Sequence, residues 1–158
     1  MAKGMGNGFP VGGILVKRNT LPICKGMLGT TFGGNHLACT AVLSVLDVMK
    51  SEKLLENASK LGEMMREGLS IISGVKKVKG QGLMIGAEFD FPIKRLREIL
   101  LYDQHLFTGN ASNPNVLRLL PPLNIKEENV ISFFGKLSRG LEQLRQETNE
   151  QERKLAHA

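Results

Sequence analysis

The chain has 158 residues, 21 of them basic and 15 acidic, for a formal charge of +6. At 42% hydrophobic and 23% charged, with seven Phe and one Tyr, it lies in the globular range and outside the disordered, collagen-like and disulfide-rich classes. No apolar run approaches the roughly 18–20 residues that span a bilayer, the first residues lack a signal-peptide hydrophobic region, and the basic clusters Lys76-Lys77-Lys79 and Lys94-Arg95-Arg97 have no interleaved aromatics to suit nucleic acid.

Cys24 and Cys39 fit neither a disulfide framework nor a Cys-x-x-Cys metal motif, so a reducing compartment and no metal are expected. The expectation is a cytoplasmic chain that meets neither membrane nor nucleic acid. Nine of the 18 glycines fall in the first 34 residues, marking either a linker or backbone that approaches something closely. The interspersed Phe9, Ile14, Leu15 and Val16 argue against a linker, and Ile14-Leu15-Val16 reads as a short buried strand. Asn35 is placed to cap a helix with apolar residues at Leu37, Ala38, Ala41, Val42, Val45, Leu46 and Met49, expected to be mostly buried. Ser51 starts a second helix that ends at Ser73-Gly74. The break near residue 50 divides a segment 1–50 from a segment 51–146, with a frayed polar tail over 147–158.

Beyond the break the apolar period becomes two. Val75 to Lys79 and Leu83 to Phe89 read as paired strands around Gly80-Gln81-Gly82, a hairpin turn and not a dinucleotide fingerprint, which would open a helix. Pro92 starts a helix through Tyr102. Short strands are expected near His105 to Thr108 and at Val116 to Leu120, followed by a helix from Glu127 to Arg145. The pattern from 51 onward is a small α+β domain with an antiparallel sheet.

Three segments can carry chemistry. In Ala2-Lys3-Gly4-Met5-Gly6-Asn7-Gly8-Phe9-Pro10-Val11-Gly12-Gly13, a lysine stands on backbone with few side chains to keep a planar ligand away, an arrangement suited to a Schiff base with a cofactor aldehyde. A surface lysine in a turn is the plain alternative. In Gly29-Thr30-Thr31-Phe32-Gly33-Gly34-Asn35-His36-Leu37-Ala38-Cys39, the residues lie just ahead of a helix N-terminus and suit an anion, or form a glycine-rich helix entry with no ligand. In Asn115-Val116-Leu117-Arg118-Leu119-Leu120-Pro121-Pro122-Leu123, an arginine in an apolar strand needs an anion, either a ligand carboxylate or an acid of the chain itself.

In order and spacing these segments resemble the class III (subgroup II) aminotransferases, the pyridoxal-phosphate enzymes of fold type I. The first resembles the family stretch around the cofactor lysine and the second the stretch "HG(S/T)T(F/Y)GGNPLAC", from which Leu28, in place of His, and His36, in place of Pro, depart. The Gly80 to Gly86 and Leu117 to Leu123 stretches most resemble its acetylornithine branch.

The resemblance implies an α/β fragment of fold type I: 1–50 as the end of the large domain that binds pyridoxal 5'-phosphate, and 51–146 as the small C-terminal domain. It implies Lys3 as the Schiff-base lysine and Thr31 as a phosphate ligand across a homodimer interface. Thr30 is implied as a substrate contact and Arg118 as the clamp for a substrate carboxylate. The implied reaction moves the terminal amino group of an N-acylated ornithine to 2-oxoglutarate, a step of arginine biosynthesis. Ornithine or 4-aminobutyrate transamination, or a non-catalytic binding or assembly role for the small domain, are the alternatives. In the family, the groups that stack on the cofactor and pair with its ring nitrogen precede the lysine, so these 158 residues alone are expected to be inactive.

Overall fold

A computed structural model describes residues 1–17, 24–27 and 29–156. They divide into two compact units, Met1–Lys53 and Leu54–Ala158.

In the first unit a 3-10 turn, Lys3–Gly6, precedes one helix, α1, His36–Ser51. Asn35 caps α1, its side-chain oxygen accepting from the Ala38 N–H at 2.9 Å. Two expectations fail here. Ile14 and Leu15 are more than four-fifths exposed and belong to no strand, because among the described residues this unit contains no strand that could pair with them. Helix α1 is not mostly buried: Ala38 is its one buried residue, and Leu37, Leu43, Leu46 and Val48 face solvent. Its apolar residues occupy most of its circumference, whereas among the described elements of this unit it packs against the short Lys3–Gly6 turn alone.

The second unit begins with α2, Leu54–Ser70, and continues through β1, Val75–Gln81; β2, Met84–Phe89; α3, Lys94–Tyr102; β3, Gly109–Asn110; β4, Val116–Leu119; and α4, Glu127–Ala156. The strands form one antiparallel sheet in the order β1-β2-β4-β3. Ile85, Ala87 and Phe89 of β2 and Leu117 and Leu119 of β4 are buried against Leu61, Met65 and Leu69 of α2, Leu96 and Leu100 of α3, and Phe133 and Leu137 of α4. In β1 the register shifts between Val75 and Lys77. This bulge lets Val75 and Val78, three residues apart, both reach the helix side. Among the described residues of this unit, no helix packs on the other face of the sheet.

A hairpin turn joins the two strands as expected, but it falls at Gly82 and Leu83: Gly80 and Gln81 extend β1, Gln81 pairs with Met84, and Gly82 lies in the left-handed region at φ 53°. The strand expected at 105–108 is displaced to Gly109–Asn110. Leu106 N–H donates to the Leu100 carbonyl at 2.7 Å and His105 has φ 49°, so this segment closes the end of α3 before the chain can extend. The tail expected to fray from residue 147 is instead helical to Ala156. It contains no Gly or Pro, and Arg95 of α3 holds Glu147 through Nε to Oε2 at 2.8 Å and Nη2 to Oε1 at 2.7 Å.

That pair makes the end of α4 sensitive to acid. The Arg95 guanidinium holds the Glu147 carboxyl below the usual carboxylate range, so its contribution is complete above that range and disappears as pH falls through the lowered value. Amide protection over residues 148–156 should therefore drop on acidification, and Glu147→Gln should reproduce the loss at neutral pH. Both partners lie at the surface, so the global unfolding temperature should barely move.

Helix α2 and the hairpin meet through glycine. A Cβ on Gly62 would lie 2.2 Å from the Gly82 carbonyl oxygen, and neither backbone can give way cheaply. Gly62→Ala should destabilise the second unit by about 1–3 kcal/mol, measurable by urea denaturation, while Gly26→Ala in the first unit should leave that transition unchanged.

Candidate functional site

Lys3 has a φ of 57°, a left-handed conformation that costs a residue with a side chain roughly 1–2 kcal/mol. Around it the backbone closes on itself. Met1 and Gly13 exchange hydrogen bonds of 2.6 and 2.8 Å, and the Asn7 and Phe9 N–H groups donate to the Gly4 and Gly6 carbonyls. Two glycine roles separate here. Gly6 is needed for packing, since a Cβ there would meet Val11 Cγ1 at 2.5 Å, whereas nothing lies within 4 Å of a Cβ on Gly4 or Gly8. Lys3 itself is exposed.

Thr30 and Thr31 lie five and four residues ahead of Asn35 in one turn. Thr30 is turned inward on the loop: its Oγ1 accepts from the Gly33 N–H at 3.1 Å, and a Cβ on Gly33 would collide with its methyl group at 2.0 Å. Thr31 is exposed and holds no side-chain hydrogen bond among the described residues, so its hydroxyl stays available just ahead of α1. The asparagine amide donates back to the Phe32 carbonyl at 2.9 Å, fixing the approach to the helix. An anion placed there meets the N-terminal end of the helix dipole and its first N–H groups. Leu28 lies outside the described residues, and His36 opens α1.

Arg118 belongs to the second unit, and the cost of burying it does not arise. The alternation of β4 turns Leu117 and Leu119 into the core and Arg118 onto the open face, where it is exposed. It lies in one row with Lys79 of β1, Gly86 of β2 and Gly109 of β3. No acid of the chain pairs with it among the described residues. Glu88, on the same open face of β2, is engaged by Lys79 at 3.0 Å and by Asn113 at 3.4 Å, and the Lys79 ammonium lowers its carboxyl from the ordinary value. Arg118 and Gly109 also line part of a cavity of about 460 Å³, together with Met65, Leu119, Ile125 and Phe133.

Reading the sequence singled out Arg118 but missed the glycine on each flank of it. A glycine inside a strand is the signal for a close approach. At Gly109 the signal falls outside the expected strand, because β3 begins four residues later than His105.

The family model for aminotransferase class-III matches residues 1–141. The chain belongs to this family. Among curated members, the acetylornithine aminotransferase of Caldanaerobacter subterraneus subsp. tengcongensis is 37% identical over 151 residues, covering 92% of this chain and 38% of the relative. That of Bacillus subtilis is 36% identical over 146 residues, 89% of this chain and 37% of the relative. Among solved aminotransferases, the acetylornithine aminotransferase of Elizabethkingia anophelis superposes with a TM-score of 0.66 at 31% identity, over 77% of this chain and 33% of that one. The ornithine aminotransferase of Toxoplasma gondii ME49 gives 0.68 at 27%, over 79% and 31%. The chain thus spans well under half the length of these class-III enzymes.

The cap at Asn35 can be tested directly. Asn35→Ala removes the acceptor for Ala38 N–H and should cost about 1 kcal/mol of helix stability. Loss of amide protection in the first turn of α1, with α2 unaffected, is the expected result.

Proposed function

We propose that this chain is the C-terminal part of a pyridoxal-phosphate-dependent aminotransferase that moves the terminal amino group of an N-acylated ornithine to 2-oxoglutarate. The observation that carries the reading is the coincidence, within one family match over 1–141, of an exposed lysine among glycines and, among the described residues, a threonine hydroxyl without a hydrogen bond at a helix entry and an exposed arginine without an acid partner. Acetylornithine aminotransferases among the relatives support the acylated donor over ornithine or 4-aminobutyrate. In this reading Met1–Lys53 closes the large domain and Leu54–Ala158 is the small one.

The residues present fit pyridoxal 5'-phosphate. Bound, it supplies an electron sink for the bond broken at the substrate carbon. Lys3 Nζ would be the group that holds it covalently, and its free amine would take a proton from the substrate carbon and return one, as general base and then acid. Thr31 Oγ1 and the N-terminus of α1 would hold its phosphate, in the family arrangement the phosphate of the neighbouring subunit, so the working form in this reading is a homodimer. Thr30 lies next to that position, against substrate. The Arg118 fork grips the substrate carboxylate with two parallel hydrogen bonds, orienting the amine without taking part in proton transfer.

The test uses the 158 residues complemented by the segment the family places before the lysine. Incubation with pyridoxal 5'-phosphate, borohydride reduction and mass mapping should add the cofactor's mass at Lys3. Label spread over several lysines would contradict the assignment. In the complemented enzyme Arg118→Lys keeps the charge and loses the fork, so the KM for donor and acceptor should rise about ten- to a hundredfold while cofactor absorbance stays normal. Unchanged KM values for both would remove Arg118 from the substrate site.

A further inference from the structure

We infer that Gly109 is a positioning residue for Arg118: by carrying no side chain on the strand beside it, Gly109 lets the arginine stem lie against the sheet and presents its guanidinium to a planar carboxylate. The inference rests on the reading of Arg118 as a carboxylate clamp. Its own observations are geometric. Gly109 and Arg118 are register partners across β3 and β4, and a Cβ built on Gly109 would stand 3.0 Å from Arg118 Nε, 3.2 Å from its carbonyl oxygen and 3.4 Å from its Cβ. Contacts that short force a neighbour to move. The carbonyl belongs to a paired strand and the Cβ is fixed by it, whereas Nε sits on an exposed, flexible side chain, so the guanidinium gives way.

The other flank is different. Gly86, opposite Arg118 on β2, has only Val116 Cγ1 near its missing Cβ, at 3.3 Å. The arginine therefore leans toward β3, over Gly109 and away from Gly86.

Strand β3 has only two residues and does not hold itself. Arg97 Nη2 donates to the Thr108 carbonyl at 3.0 Å and Lys136 Nζ to the His105 carbonyl at 3.3 Å, anchoring the approach to Gly109 from α3 and α4. The anchor has a cost, since Arg97 Nε and Thr108 Oγ1 are buried without partners. A backbone fixed this firmly beside Arg118 narrows the rotamers open to its guanidinium before a ligand arrives. Without it the clamp would have to order its own rotamer on each binding event.

The experiment follows the Arg118 Nε–H resonance of the 158-residue chain by NMR during titration with succinate, a plain dicarboxylate, and with succinamide, its uncharged counterpart. The wild-type resonance should move with succinate and not with succinamide. Gly109→Ala should shift its starting position and weaken the succinate response about tenfold, the loss of one charge-assisted hydrogen bond. The Leu117 and Leu119 amides should stay in place, and Gly86→Ala should behave as wild type. Arg97→Met, which releases the anchor without adding volume at Gly109, should weaken the response in the same direction and serves where Gly109→Ala fails to fold. A Gly109→Ala chain that titrates like wild type, or a Gly86→Ala chain perturbed equally, would overturn the inference. A wild-type resonance indifferent to succinate, even where Gly109→Ala displaces it, would overturn the carboxylate reading of Arg118 and the inference with it.

Discussion

Everything in the second unit depends on one sheet being covered on one face only. Helices α2, α3 and α4 lie on that face, so β2 and β4 must each send alternate residues inward, and the antiparallel pairing of Ile85 with Leu119 and Ala87 with Leu117 keeps the two inward sets aligned. A slip of one residue in β4 would expose both leucines, at about 1.5–3 kcal/mol each, and drive Arg118 into an apolar core. The register is therefore pinned by burial. The direction in which the arginine faces is a by-product of that pinning, obtained without any contact to the arginine itself.

The charge pattern on the open face follows from the same register. Lys77 and Lys79 of β1 fall beside Glu88 of β2, which is thereby occupied from one side of the sheet. On the adjacent strand β4, Arg118 stands between two glycines. A carboxylate that belongs to the fold and a cation that does not share it are thus kept apart on one surface, a division that a binding cation requires and a stabilising ion pair would abolish.

Local pattern made much of this legible. The Asn35 cap, the hairpin turn at Gly82, the period-two strands and the helices α2, α3 and α4 all follow from residue spacing, whereas Arg118 reads from sequence as an arginine to be buried, and only the alternation of β4 puts it on the exposed face. What failed were statements about burial that needed a partner. Ile14-Leu15-Val16 and the apolar faces of α1 have the composition of buried elements, but burial is a property of two surfaces, and a sequence pattern reports one. The continuation of α4 past Glu147 turned on Arg95, which is 52 residues away in the chain. Gly109 was out of reach for a related reason: its role lies in what a neighbouring strand places over it. The roles of Lys3, Thr30 and Thr31 were read through family resemblance, since a lysine among glycines and two threonines before a helix have ordinary explanations as well.

The open face has two borders, and both discourage further strands from joining the sheet. On one side β3 offers a single pair of residues before the chain turns away. On the other, β1 carries Lys76, Lys77 and Lys79 and a bulge at its start. A neighbouring molecule seeking to extend the ladder meets either too short a template or a crowded positive charge with broken register. The lysine cluster that suits nucleic acid poorly is thus suited to a quieter task, keeping an uncovered sheet from growing into its neighbours at high concentration.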